Sequence, residues 1–184
     1  MSRIGRMPIP IPKGVEVNID GSDVKVKGPK GELERSLHPD MLISISNDNV
    51  IIERPSEEKL HKALHGLTRS LLNNMVVGVS DGFKKTLEMV GVGYRAQLEG
   101  QNVVLQVGYS HPIKIEPLTG ITFTLEGNNR IIVSGINKED VGEQAANIRK
   151  ARKPNPFTGK GIKYEGEKIR RKAGKAGRIG SELS

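Results

Sequence analysis

Twelve lysines and arginines stand in the last 37 residues, Ile148 to Ser184, against three acidic residues. The rest of the chain carries 17 basic residues against 18 acidic ones, so the whole net charge of +8 comes from this end. Cations at such density neutralise phosphates and release their counterions. The candidate RNA contacts are Lys160, Lys163, Lys168, Arg170, Arg171, Lys172, Lys175 and Arg178, with Arg152, Lys153 and the polar Asn155 just ahead of them. Gly159, Gly161, Gly166, Gly174 and Gly177 are interleaved, and backbone without a Cβ can pass close to a sugar-phosphate chain. Phe157 and Tyr164, two of the six aromatics in the chain, are suited to stacking on unpaired bases. The combination points to RNA; the bland alternative is a solvated basic terminus.

Other motifs carry less. Gly91-Val-Gly93-Tyr-Arg-Ala96 matches a dinucleotide fingerprint in letters, but an alternating strand pattern follows where a helix is required. Bulge or tight-turn glycines are the better reading. His61 and His65 lie four apart on a helix, yet position 62 is Lys where a zincin needs Glu, and His38 and His111 have no ligand spacing. No metal and no cofactor are expected. Acidic residues are scattered, and there is neither a Gly-x-Ser-x-Gly elbow nor a Walker-type loop, so nothing points to an enzyme. There is no Cys, which excludes disulfides and thiol nucleophiles and fits a reducing compartment. The opening Met1–Lys13 lacks a continuous apolar stretch, so no signal peptide is expected, and no apolar run approaches a membrane span. A cytosolic protein is the expectation.

The elements that must hold the basic segment are written twice. Asp20-Gly21 precedes the alternation Val24-Lys-Val26, and Glu99-Gly100 precedes Val103-Val-Leu105-Gln-Val107; the two glycines are 79 apart. Asn49-Val-Ile-Ile52 matches Asn129-Arg-Ile-Ile132, and Ser56 matches Asn137, both expected as helix N-caps. Behind them Leu60, Leu64 and Leu67 match Val141, Ala145 and Ile148. Each copy reads as short strands of period two, then one helix. The first helix is expected over 57–77, with Leu60, Ala63, Leu64, Leu67, Leu71 and Met75 as its buried face and Gly78 as its stop. The second is expected over 138–151, ended by Pro154 and Pro156. The fold class is therefore α+β: two tandem copies of a small antiparallel sheet packed on one helix, with a basic C-terminal extension. The expected divisions are an N-terminal arm over 1–14, a first repeat over 15–80 and a linker at 81–82. A second repeat with the basic loop covers 83–172, and a flexible basic tail 173–184.

Three stretches resemble ribosomal protein number six of the bacterial large subunit. They are Met1 to Val15, His61-Lys-Ala-Leu-His-Gly-Leu-Thr-Arg-Ser-Leu-Leu-Asn-Asn-Met-Val-Val-Gly-Val79, and Pro154 to Lys175. Asn155-Pro-Phe-Thr158 departs from the family, in which an aromatic more often follows the first proline. The resemblance implies two domains of one fold and binding to 23S rRNA near the elongation-factor and aminoacyl-tRNA region of the large subunit. It places Lys160, Lys163, Tyr164, Lys168, Arg170, Arg171, Lys172 and Lys175 in the rRNA-binding stretch. Neighbouring ribosomal proteins are expected partners; a membrane, a small-molecule substrate and a second copy of the chain are not.

The first repeat is nearly neutral, so few phosphate contacts are expected there. His61, His65 and Arg69, with Arg3 and Arg6, are its candidate secondary contacts. Two rivals are a duplex DNA binder, for which the chain has no recognition helix rich in Arg, Asn or Gln, and an enzyme with an anionic substrate.

Overall fold

The computed structural model describes residues 4–174 and shows an α+β chain of two compact units. Residues 4–83 with Gly135–Lys138 form the first; residues 84–134 and 139–174 form the second.

The first unit runs β1 (Ile9–Pro10), β2 (Glu16–Asp20), β3 (Asp23–Gly28), β4 (Gly31–Ser36), β5 (Leu42–Ser46), β6 (Asn49–Glu53) and α1 (Lys59–Ser80). Two antiparallel sheets form, in the orders β2-β3-β4 and β1-β6-β5. Alternation drives them: Val24 and Val26 of β3 are buried, while Asp23, Lys25 and Lys27 between them are exposed. These valines join Ile9, Val50 and Ile52 and the helix residues Leu72, Met75, Val76 and Val79 in one apolar core.

The chain continues through β7 (Phe83–Val90), β8 (Arg95–Glu99), β9 (Asn102–Gln106), β10 (Ile113–Ile115), β11 (Ile121–Glu126), β12 (Arg130–Gly135), α2 (Lys138–Ala151) and β13 (Gly161–Tyr164), which apart from the end residues Phe83, Gly135 and Lys138 make up the second unit. Its sheets are β10-β9-β8 and β11-β12-β7-β13. The strand orders repeat those of the first unit, β8-β9-β10 answering to β2-β3-β4 and β7-β12-β11 to β1-β6-β5. The turns after β2 and β8 both hold glycine in the left-handed region, Gly21 at φ 61° and Gly100 at φ 63°, a conformation other residues adopt at a cost.

Several expectations change. The arm over 1–14 is not separate: β1 pairs with β6, Ile9 is 1% exposed, and the Ile11 N–H donates to Asp48 O at 2.8 Å. Prolines flanking Ile9 hide a strand that edge pairing nonetheless allows. Likewise part of the basic loop is strand β13, paired antiparallel with β7, and Ile162 at its centre is fully buried. The expected linker, Asp81-Gly82, caps the C-terminus of α1, where the N–H groups of both residues donate to Val77 O. Ser56 is not the N-cap of α1; Glu58 holds that position, and Ser56 Oγ accepts from the Glu58 N–H at 3.2 Å. Gly78 does not stop the helix but lies buried inside it, against the Ile136 carbonyl.

The buried face of α1 is also displaced. Its fully buried side chains are His65, Thr68, Leu72, Met75, Val76 and Val79; of the expected face Met75 is buried and Leu64 and Leu71 pack half-buried against the core, while Ala63 is exposed and Leu60 and Leu67 are more than half exposed. Two polar members disguise this stripe. His65 is fully satisfied: Ile52 O can only accept, so Nε2 donates to it at 2.8 Å, and the Arg54 guanidinium can only donate, so Nδ1 accepts from it at 3.1 Å. A Cβ at Gly5 would overlap the His65 ring, so the N-terminal arm closes directly over this histidine.

Candidate nucleic-acid interface

The last turn of α2 carries Arg149 and Lys150, and the chain then leaves the helix through Arg152 and Lys153. Two prolines prevent helix continuation, and a turn centred on Asn155 shapes the loop beyond them. Asn155 Oδ1 accepts from the N–H groups of Phe157 at 2.8 Å and Thr158 at 3.3 Å, and the Gly159 N–H donates to Asn155 O at 2.7 Å. The loop closes where the Asn155 N–H donates to Lys160 O and the Ile162 N–H to Arg152 O, both at 2.8 Å. Gly161 makes this crossing possible, since a Cβ there would lie 2.6 Å from Pro154 Cα. The Lys172 N–H donates to Pro156 O at 3.0 Å, which folds the following basic stretch back onto the loop.

The cations divide into two groups. Lys163 on β13 pairs with Glu88 on β7 at 3.1 Å, and Arg130 also reaches Glu88 at 3.3 Å. The Lys163 hydrogen bond is the main reason the Glu88 carboxyl is held below its ordinary range, with Lys163 and Arg130 charges adding to it against desolvation. Arg149 grips Glu167 at 2.6 and 3.2 Å. Its hydrogen bonds are the chief cause of the depressed Glu167 carboxyl. By contrast Lys153, Lys160, Lys168, Arg170, Arg171 and Lys172 are exposed. Lys175, Arg178 and Arg3 lie outside the described residues.

This division yields two predictions. Lys163→Gln should change the salt slope of RNA affinity by no more than about 0.3, because Glu88 already cancels its charge, whereas Lys160→Gln should flatten it by about 0.7–0.9. Glu167→Gln should destabilise the second unit by about 1 kcal/mol at pH 7, since the pair is partly solvated. The folded carboxyl is depressed, so its contribution is complete above the ordinary value of 4.5 and vanishes as pH falls through the folded value. Wild type and variant should therefore converge in melting temperature as pH falls from 4.5 through the depressed folded value.

The aromatics are arranged differently from expectation. Tyr164 is half-buried, with the Arg149 guanidinium 5.6 Å and Lys85 Nζ 5.8 Å from its ring centroid, and is no open stacking platform. Phe157 is 56% exposed. Tyr94 and Tyr109, which the sequence did not single out, line a cavity of about 490 Å³ with Lys150, Arg152, Lys153, Asn155, Thr158 and Lys160. Among the described residues four cations line this cavity and no carboxylate does. The one available signal was compositional: all six aromatics lie from Phe83 onward.

The secondary candidates in the first unit do not form a comparable site. His65 is core, His61 is tied to Ser56 Oγ at 2.7 Å and Asp40 at 3.3 Å, and Arg69 Nε donates to Met7 O at 3.2 Å. Arg6 is exposed. Among the described residues no group of three or more side chains is gathered to hold a metal ion, and no helix is long and apolar enough to cross a membrane.

The family described as Ribosomal protein L6 matches residues 11–82 and 90–165. The second stretch begins 79 residues after the first, the spacing of Gly21 and Gly100. The chain is 60% identical to the large ribosomal subunit protein uL6 of Pelotomaculum thermopropionicum, over 99% of this chain and 100% of that one. It is 58% identical to the protein of the same name from Caldicellulosiruptor bescii with the same coverage, and 57% identical to that of Clostridium botulinum (strain Eklund 17B / Type B) over 97% and 99%.

Proposed function

The chain belongs to the Ribosomal protein L6 family, and from that premise we propose that it binds 23S rRNA through its second unit, near the elongation-factor region where aminoacyl-tRNA enters. Members of the family are structural, non-enzymatic constituents of the large ribosomal subunit, a cytoplasmic particle in bacteria. The observation that carries the rRNA reading is the cavity lined by four cations and, among the described residues, no carboxylate; the exposed stretch Arg170 to Lys172 is tied to the same loop by the Lys172 N–H bond to Pro156 O. Fixed cations around a preformed cleft set the register of a phosphate backbone, and the adjacent aromatics contact its unpaired bases.

Each unit holds two small antiparallel sheets and one helix rather than the single sheet expected, and the two units take different parts. The second docks on rRNA. The first lacks an excess of cations, and it faces neighbouring ribosomal proteins or braces the factor-binding region. The deciding experiment is the affinity of the purified chain for 23S rRNA fragments across a salt series, with 16S fragments of equal length as competitors. A steep salt slope with preference for 23S fragments is the expected result; equal affinity for both would sink the reading. A crosslinking map of assembled subunits tests the division of labour, which fails if most rRNA adducts fall in residues 4–83.

A further inference from the structure

We propose that the cavity bounded by Tyr94, Tyr109, Lys150, Arg152, Lys153 and Lys160 receives one unpaired nucleotide of the bound RNA. Its base lies against the tyrosine–arginine layer and its phosphate among the lysines. The proposal rests on the RNA-binding reading above. The cavity volume of about 490 Å³ falls within the range of roughly 300–1,000 Å³ usual for small-ligand sites. Cations alone would suit any anion. Rings and cations sharing one cleft suit a group that is flat at one end and anionic at the other, which describes a nucleotide. A base still paired in an A-form helix offers no face to such a cleft, so the nucleotide must be unpaired.

The layer is built in advance. The Tyr94 ring occupies space left by two glycines: a Cβ at Gly91 would come within 2.8 Å of it and one at Gly108 within 3.1 Å. The Tyr109 hydroxyl donates to Ala151 O at 3.2 Å, which ties the ring to the end of α2. The Arg152 guanidinium lies 4.6 Å over the Tyr109 ring, and His111 is stacked on the same tyrosine at 6.2 Å between centroids. Hydrogen bonds to the phenol groups of Tyr109 first and Tyr94 second strengthen the hold of Arg152 on its proton. A planar cation positioned this way stacks on a base without first having to be ordered. At the cleft wall Thr158 Oγ1 accepts from the Lys160 N–H at 3.3 Å, fixing the backbone from which the Lys160 side chain extends.

The test is a double-mutant cycle between protein and RNA. The full chain is titrated with a 23S rRNA fragment that it binds, and with a series in which each unpaired nucleotide in turn is made abasic. Arg152→Lys keeps the charge and loses the plane; Tyr94→Leu keeps apolar bulk and loses the ring. Each should weaken binding by about 5- to 150-fold while leaving the salt slope unchanged. One abasic position should weaken wild-type binding by a similar factor and have no further effect on either variant. Melting temperatures report whether the variants fold, and Arg152→Lys alone carries the cycle if Tyr94→Leu does not.

If every abasic position costs wild type and variants equally while rRNA binding persists, the pocket assignment is wrong and the RNA-binding reading stands. If the wild type shows no preference for 23S fragments, both fall together. Free nucleoside 5′-monophosphates form the last arm. Saturation of the cavity by them while RNA stays bound would make it a small-molecule site and overturn the proposal.

Discussion

Changing Lys153, Lys160, Lys168, Arg170, Arg171 and Lys172 together to glutamine should flatten the log–log salt dependence of 23S rRNA affinity by roughly 4–5 units. A cation that neutralises one phosphate supplies about 0.7–0.9 of slope, and all six of these side chains are exposed. The lines for wild type and variant converge near molar salt, so the gap near 0.15 M should be on the order of several thousandfold. Lys163 is left out because its charge is already engaged by Glu88. Arg152 is left out because it shapes the cleft through Tyr109. Filter binding or fluorescence anisotropy at five or six salt concentrations measures the slope. A change of less than one unit would mean that the RNA lies elsewhere on the chain.

Gly78→Ala and Gly142→Ala should shift stability in opposite directions although both glycines lie inside helices. A Cβ at Gly78 would overlap the Ile136 carbonyl oxygen, which is backbone and cannot swing away. The helix or the segment Gly135–Lys138 must then move, at a cost of about 3 kcal/mol, the upper end for overpacking. Gly142 in α2 has open space where its Cβ would stand. Alanine there gains helix propensity and should stabilise by about 0.5–1 kcal/mol. Urea unfolding of the two variants beside wild type measures both shifts. Equal effects of the same sign would mean that the close approach at Gly78 does not exist in solution.

How far the sequence could be read depended on where each signal came from. The strand β3 was plain because Val24 and Val26 alternate with charged residues, and β9 because Val103 and Leu105 follow a glycine turn. The helix α2 was plain because Val141, Ala145 and Ile148 share one face and no competing apolar row exists. In α1 a row of leucines competed with the true stripe. Apolarity alone favours the leucines, but the helix buries His65 and Thr68 because partners within the fold meet their polar atoms, which no helical periodicity reveals. Strands β1 and β13 were invisible because two prolines frame one and glycine and lysine dilute the other. Each is made by pairing with a strand far away along the chain.

By itself, the sequence determined the duplication, the α+β class and the placement of charge at one end. Those properties are local or additive: periodicity, turn chemistry and net charge do not depend on who neighbours whom. Tertiary structure alone decided which cations remain available. Lys163 and Arg149 are spent on Glu88 and Glu167, while Lys150, Arg152, Lys153 and Lys160 are gathered around Tyr94 and Tyr109. That selection comes from strand register and loop closure, which bring together residues distant along the chain, and short-range charge pairing acts only between groups the fold has already made adjacent.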